Sequence, residues 1–158
     1  MKLRHVITDG AIEGEGPGSF LLTTRTGDAL SFSPGQNRSH MQGWRRFSPE
    51  GFGYLKVVEH LSLDAPVEGV TVEQGAVVRR YARGEDRLSV SPSALIYEAR
   101  GCRGQLQVDL DIRPAYETEP QGRIHRVRQE GDLIVVTYQK FDDDSLARLA
   151  WTYTVAIK

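Results

Sequence analysis

Apolar and polar residues alternate without a break from Gln105 to Arg113. Leu106, Val108, Leu110 and Ile112 fall on one side, and Gln105, Gln107, Asp109, Asp111 and Arg113 on the other. A repeat of two residues belongs to a strand with one buried and one wet face. Just upstream, Leu95–Arg100 has the β-branched and aromatic residues of a second strand. Gly101 and Gly104 bracket the short loop between them, so Ala94–Arg113 is predicted as a hairpin, closed by Pro114, which has no N–H to donate.

The same pattern recurs along the chain. Strands are predicted at Leu3–Thr8, at Ser19–Arg25 and Asp28–Ser33 around Thr26 and Gly27, and at Val70–Glu73 and Ala76–Arg83 around Gln74 and Gly75. Others follow at Arg87–Ser91, at Ile124–Gln129 and Leu133–Lys140 around Glu130–Asp132, and at Ala147–Ile157. Phe52–Leu63 fits both periods: Leu55, Val57, Leu61 and Leu63 align with Glu59 as a strand, and Leu55, Val58 and Leu61 align as a helix. The β-rich surroundings favour the strand. Glu13–Gly18, Pro34–Pro49, Tyr116–Gly122 and Asp142–Ser145 read as loops. About ten short strands with no βαβ interval predict an all-β fold, an antiparallel β-sandwich forming a single domain over residues 1–158. The chain stops directly after a strand, and we expect it to be the N-terminal part of something longer.

Composition narrows the classes of function. A formal net charge of −1 gives no electrostatic footprint for nucleic acid or for an anionic membrane. Sixteen of the cations are arginines, but they are scattered. No apolar run approaches the ~18 residues of a membrane span, and the N-terminus lacks the apolar core of a signal peptide, so a cytoplasmic location is expected. Cys102 is the single cysteine, which excludes an internal disulfide framework.

Candidate chemistry is sparse. A glycosidase needs two carboxyl groups facing across a cleft, and Glu59 and Glu98 are the candidates. The plainer expectation is an ion pair for Glu59 and a solvated position for Glu98. Asp109 and Asp111 share a strand face ~7 Å apart by strand rise, suitable for a metal but as well explained by solvated charge. Asp142–Asp144 lacks the spacing of a calcium loop, and His5, His40, His60 and His125 show no zinc-motif spacing. Cys102 has no histidine base nearby in sequence. The glycines at 14, 16 and 18 precede no helix and form no nucleotide site. No catalytic residue, cofactor or metal is therefore expected.

The run from Pro34 to Phe47 differs in kind. It gathers an aromatic plate (Trp44), amides (Asn37, Gln42), a guanidinium (Arg38) and an imidazole (His40), the groups that bind sugar hydroxyls and C–H faces. These five residues form the predicted substrate-binding set. The competing reading makes Trp44 a buried anchor for the loop.

The loop and the strands after it carry a family resemblance. An Asn/Ser–Arg loop ending in glycine and an aromatic residue, followed by Tyr54-Leu55-Lys56-Val57-Val58-Glu59, resembles the N-terminal domain of glycogen debranching enzymes of the amylo-α-1,6-glucosidase type. Tyr97-Glu98-Ala99-Arg100-Gly101 and Val108-Asp109-Leu110-Asp111-Ile112-Arg113-Pro114 resemble that domain's central strands, and the likeness runs roughly from Phe20 to Tyr138. Arg38 and Gly43 fit the ends of the family's loop, with His40 and Met41 where the family has tyrosine. The resemblance implies a β-supersandwich that precedes a helical (α/α)6 barrel holding the catalytic carboxylates. It also implies an α-glucan partner, a catalytic domain in cis and a non-catalytic role in shaping the substrate cleft. Two other readings stand beside it: an independent lectin-like sandwich, and a β-barrel carrier of a small ligand.

Overall fold

The computed structural model describes residues 3–5, 12–15, 20–32, 42–48, 53–73, 75–92, 94–115, 123–141 and 149–158. Every regular element among them is a strand, and every strand pairing is antiparallel. Among the described residues, no helix is long and apolar enough to cross a membrane. The chain divides into two compact units, Met1–Tyr116 and Glu117–Lys158.

Among the described residues, the first unit contains eleven strands: β1 (Leu3–His5), β2 (Ile12–Glu15), β3 (Leu22–Thr23), β4 (Ala29–Ser31), β5 (Gly43–Ser48), β6 (Gly53–Leu63), β7 (Val67–Glu73), β8 (Ala76–Tyr81), β9 (Glu85–Ser91), β10 (Ala94–Arg100) and β11 (Leu106–Pro114). They form a sheet of order β1-β2-β7-β8-β9-β10 and a second of order β11-β6-β5-β4-β3. The second unit is a meander of β12 (Arg123–Glu130), β13 (Leu133–Phe141) and β14 (Leu149–Ile157). In it Val136 lies opposite Val127 and Val155, and Tyr138 opposite His125 and Tyr153.

The predicted hairpins at Gly27, Gly75 and Gly131 form, each glycine taking a positive φ that L side chains resist. Phe52–Leu63 resolves as a strand, β6. Two predicted loops contain strands: Gly43–Ser48 pairs with β4 and β6, and Ile12–Glu15 pairs with β7. Their glycines and short polar residues hide the pattern, and pairing with distant strands decides them.

The predicted Ala94–Arg113 hairpin does not form. β10 pairs with β9, while β11 pairs with β6 in the other sheet. Alternation fixes that both segments are extended, but not which neighbour each one finds. Residues 101–105 cross from one sheet to the other over the β8–β9 turn. There Gly84, at φ 82°, has no room for a Cβ, which would overlap the Arg100 carbonyl oxygen.

The core of the first unit draws on both sheets. Leu55 to Glu59 are buried in unbroken succession, because β6 is interior to its sheet and is bulged where its register shifts against β5 and β11. Leu30, Val57, Val77, Leu88 and Ile112 are sealed from solvent, each contributing about 1.5–3 kcal/mol by burial. Among them sits an ionic group. Arg79 donates from Nε and Nη2 to both oxygens of Asp86, at 2.9 and 2.6 Å, and from Nη1 to the Leu61 carbonyl on β6, at 3.0 Å. Tyr81 donates its hydroxyl to Asp86 Oδ2 at 2.6 Å.

Burial and the hydrogen bond to Asp86 push the Tyr81 hydroxyl well above the usual tyrosine range, and burial with the Asp86 charge pushes Tyr97 up to about 12. A raised tyrosine pKa contributes stability that is complete below the unfolded value of 10.0 and is lost as pH climbs through the folded value. Chemical denaturation should therefore show wild-type stability falling between pH 10 and pH 12, and a Tyr81→Phe/Tyr97→Phe variant should show a shallower fall over the same range.

Candidate functional site

Of the five predicted sugar-binding residues, Asn37, Arg38 and His40 lie outside the described residues. Gln42 is half-buried just before β5, and Trp44 is in β5 opposite Leu30 and Val58. Trp44 is 6% exposed, so its ring is packed within the unit, and its buried Nε1 has no hydrogen-bond partner. Gly43 holds this corner in place: at φ 94° a Cβ would run into the Val58 carbonyl oxygen.

Three cations line up across the second sheet. Register places Arg45 of β5 opposite Lys56 of β6, and Lys56 opposite Arg113 of β11. All three are buried, Lys56 completely. The Lys56 ammonium donates to Glu59 Oε2 at 2.6 Å, and Arg113 Nη2 lies 3.8 Å from the same oxygen. Arg113 also donates from Nε to Asp111 Oδ2 at 2.6 Å and from Nη1 to the Ala115 carbonyl at 2.9 Å. The Arg45 guanidinium sits 5.5 Å from the centre of the Tyr54 ring. Burial lowers the Lys56 pKa, and the Glu59 hydrogen bond opposes that shift.

Glu59 is thus a counter-ion inside a packed strand. A carboxylate bonded to an ammonium there is not placed to trade a proton with a substrate. Glu98 is exposed on β10 of the first sheet. The two candidate glycosidase carboxylates do not share a sheet. Asp111 is tied to Arg113, and Asp109 accepts a hydrogen bond from Gln107 at 3.0 Å. His60 packs edge-on to Phe32 and His125 tilts against Tyr138. Among the described residues, no three His, Cys, Asp or Glu side chains converge on a possible metal position. Cys102 lies in the crossover between sheets and donates its thiol to the Glu85 carbonyl at 3.2 Å.

An accessible groove lies on the face of β7–β10 that points away from Val77, Arg79 and Tyr81. Its volume is about 380 Å³, and Thr71, Glu73, Val78, Arg80, Glu85, Arg87, Glu98 and Arg100 line it. Strand register arranges the charges in rungs. Arg80, Glu85 and Arg100 form one, and Val78, Arg87 and Glu98 form the next. Arg87 donates to Glu73 Oε2 at 2.6 Å with both side chains 40% exposed. Gly69 leaves room for the Arg80 guanidinium to lie across β7, since a Cβ there would come 3.1 Å from Arg80 Nη2. The groove therefore presents planar donors beside carboxylate acceptors.

Apart from Glu98, the sequence reading missed this groove. Its signal is the spacing by two of charges in β9 and β10, Glu85 with Arg87 and Glu98 with Arg100, which registers only once the strand order is known. No family model matches the chain, and neither a curated protein nor a solved structure matches it.

The buried cation row has a measurable consequence. Glu59→Ala removes the carboxylate that separates Lys56 from Arg113, and urea unfolding should show a loss of about 3 kcal/mol. Glu98→Ala, at an exposed position, should stay within about 0.5 kcal/mol of the wild type.

Proposed function

We propose that the chain is a non-catalytic β-sandwich domain of a glycogen-debranching-like glycoside hydrolase, acting in the cytoplasm. It binds an α-glucan and shapes the substrate cleft beside a helical (α/α)6 catalytic domain in cis. The observation that carries this reading is the mixed arginine–glutamate groove on β7–β10. Its volume falls within the ~300–1,000 Å³ range of small-ligand sites, but its lining is charged where most such sites are apolar. A polyhydroxylated chain satisfies that lining: sugar hydroxyls donate to Glu73, Glu85 and Glu98 and accept from Arg80, Arg87 and Arg100. An apolar cargo would leave those charges desolvated and unmatched.

Two further observations support the non-catalytic part. Glu59 is engaged by Lys56 and Arg113, and Glu98 belongs to the binding groove, so neither serves as an acid–base pair across a cleft. The direct bond from Arg79 to the Leu61 carbonyl supports a sandwich of the first two sheets. The sequence resemblance to debranching-enzyme N-terminal domains supplies the substrate class and the partner domain.

Amide-resolved NMR titration of the full chain with maltooligosaccharides tests the reading. Saturable shifts are expected at β7–β10, and Arg87→Ala should weaken binding by roughly tenfold or more while leaving the rest of the spectrum intact. No saturable shift with any oligosaccharide, or shifts elsewhere that Arg87→Ala leaves untouched, would remove the glucan assignment.

A further inference from the structure

β11 ends its sheet: β6 pairs with one side of it, and among the described residues no strand pairs with the other. An open edge offers a row of backbone donors and acceptors to any extended chain. This one also carries uncovered apolar surface. Leu106 and Val108 lie opposite the buried Leu63 and Leu61, yet are 39% and 37% exposed. At the other end of the strand Ile112 and Arg113 are enclosed. The available segment is therefore Leu106–Leu110.

We propose that this segment is a homodimer seam, in which β11 pairs antiparallel with β11 of a second copy around a two-fold axis at Val108. The side chains select that register. An axis at Asp109 sets a carboxylate against its own copy, and an axis at Leu110 sets Asp109 against the second copy's Asp111; like charges directly opposite repel. An axis at Ile112 falls on the enclosed end. An axis at Gln107 leaves only Leu106–Val108 overlapping.

The axis at Val108 satisfies every position. Val108 meets its own copy, Leu106 meets Leu110, and Gln107 meets Asp109, twice by symmetry. The amide that now donates to Asp109 within one strand, at 3.0 Å, also suits a carboxylate across the seam. On the opposite side of the strand, the apolar row from Leu61 through Val108 continues into the second copy, covering the surface that each copy alone leaves wet. The surface is self-complementary, as an isologous dimer requires.

Sedimentation velocity on the full chain over a dilution series tests this. The wild type should associate reversibly to a dimer. Gln107→Glu, at an exposed position, sets a carboxylate against Asp109 and should weaken association by roughly threefold to tenfold, whereas Gln107→Lys should strengthen it by a similar factor. Val108→Lys and Val108→Glu should each be monomeric, and mixing them should restore the dimer, with the fold of each checked by circular dichroism. Val127→Lys, on exposed β12, should dimerise as the wild type does. A wild type that stays monomeric at every concentration overturns the proposal. So do Gln107 variants that shift association in the same direction, or a Val108 mixture that fails to associate.

Discussion

The buried guanidinium of Arg79 ties the first sheet to the second. Arg79 is held by Asp86 on the neighbouring strand and by a main-chain carbonyl of β6 in the other sheet. Three of its donor directions are thus fixed by groups on two other strands, β9 and β6. Because the geometry of a guanidinium is planar and forked, a shift of either sheet breaks at least one of these bonds. Tyr81 completes the acceptor side by donating to Asp86. The apolar residues around this group, Val77 and Leu88 in one sheet and Val57 and Leu61 in the other, supply non-directional burial. The arginine supplies the register that burial alone does not specify.

Charge in this unit has two separate uses, and the same strands serve both. On β8, Arg79 points into the core while Arg80 points into the groove. On β9, Asp86 goes inward while Glu85 and Arg87 go outward. The inward groups are consumed by one another and by the backbone. The outward groups sit in rungs of alternating sign with their heads in water, where a ligand's hydroxyl groups can compete for them. The row of Arg45, Lys56 and Arg113 belongs to the first kind, with Glu59 as its counter-ion. This division is why the buried carboxylate is a structural group and the exposed cluster is the proposed binding surface.

Much of this was legible in the sequence. Alternation located β7 through β13 closely and gave the all-β antiparallel class, the β-rich surroundings decided β6, whose sequence fits both periods, and glycines marked the turns at positions 27, 75 and 131. Partner choice was not legible. Adjacent strands usually pair, so β10 and β11 read as a hairpin, yet each finds a partner in a different sheet. β5 was hidden because Gly43, Arg45 and Arg46 give a strand the look of a polar loop. Arg45 is buried against Tyr54, which only the β5–β6 pairing reveals. The groove was illegible for the same reason, since its charges come from four strands and converge through register.

Equilibrium urea unfolding of Arg79→Met tests most directly the claim that this guanidinium organises the unit. The substitution keeps an unbranched apolar stem but strips the Asp86 carboxylate of its guanidinium, leaving it the Tyr81 hydroxyl, and removes the Arg79 bond to the Leu61 carbonyl. A loss of about 3 kcal/mol or more is expected, since the acid stays buried after its partner is removed. A variant within about 0.5 kcal/mol of the wild type would mean that burial alone sets the two sheets, and would contradict the account.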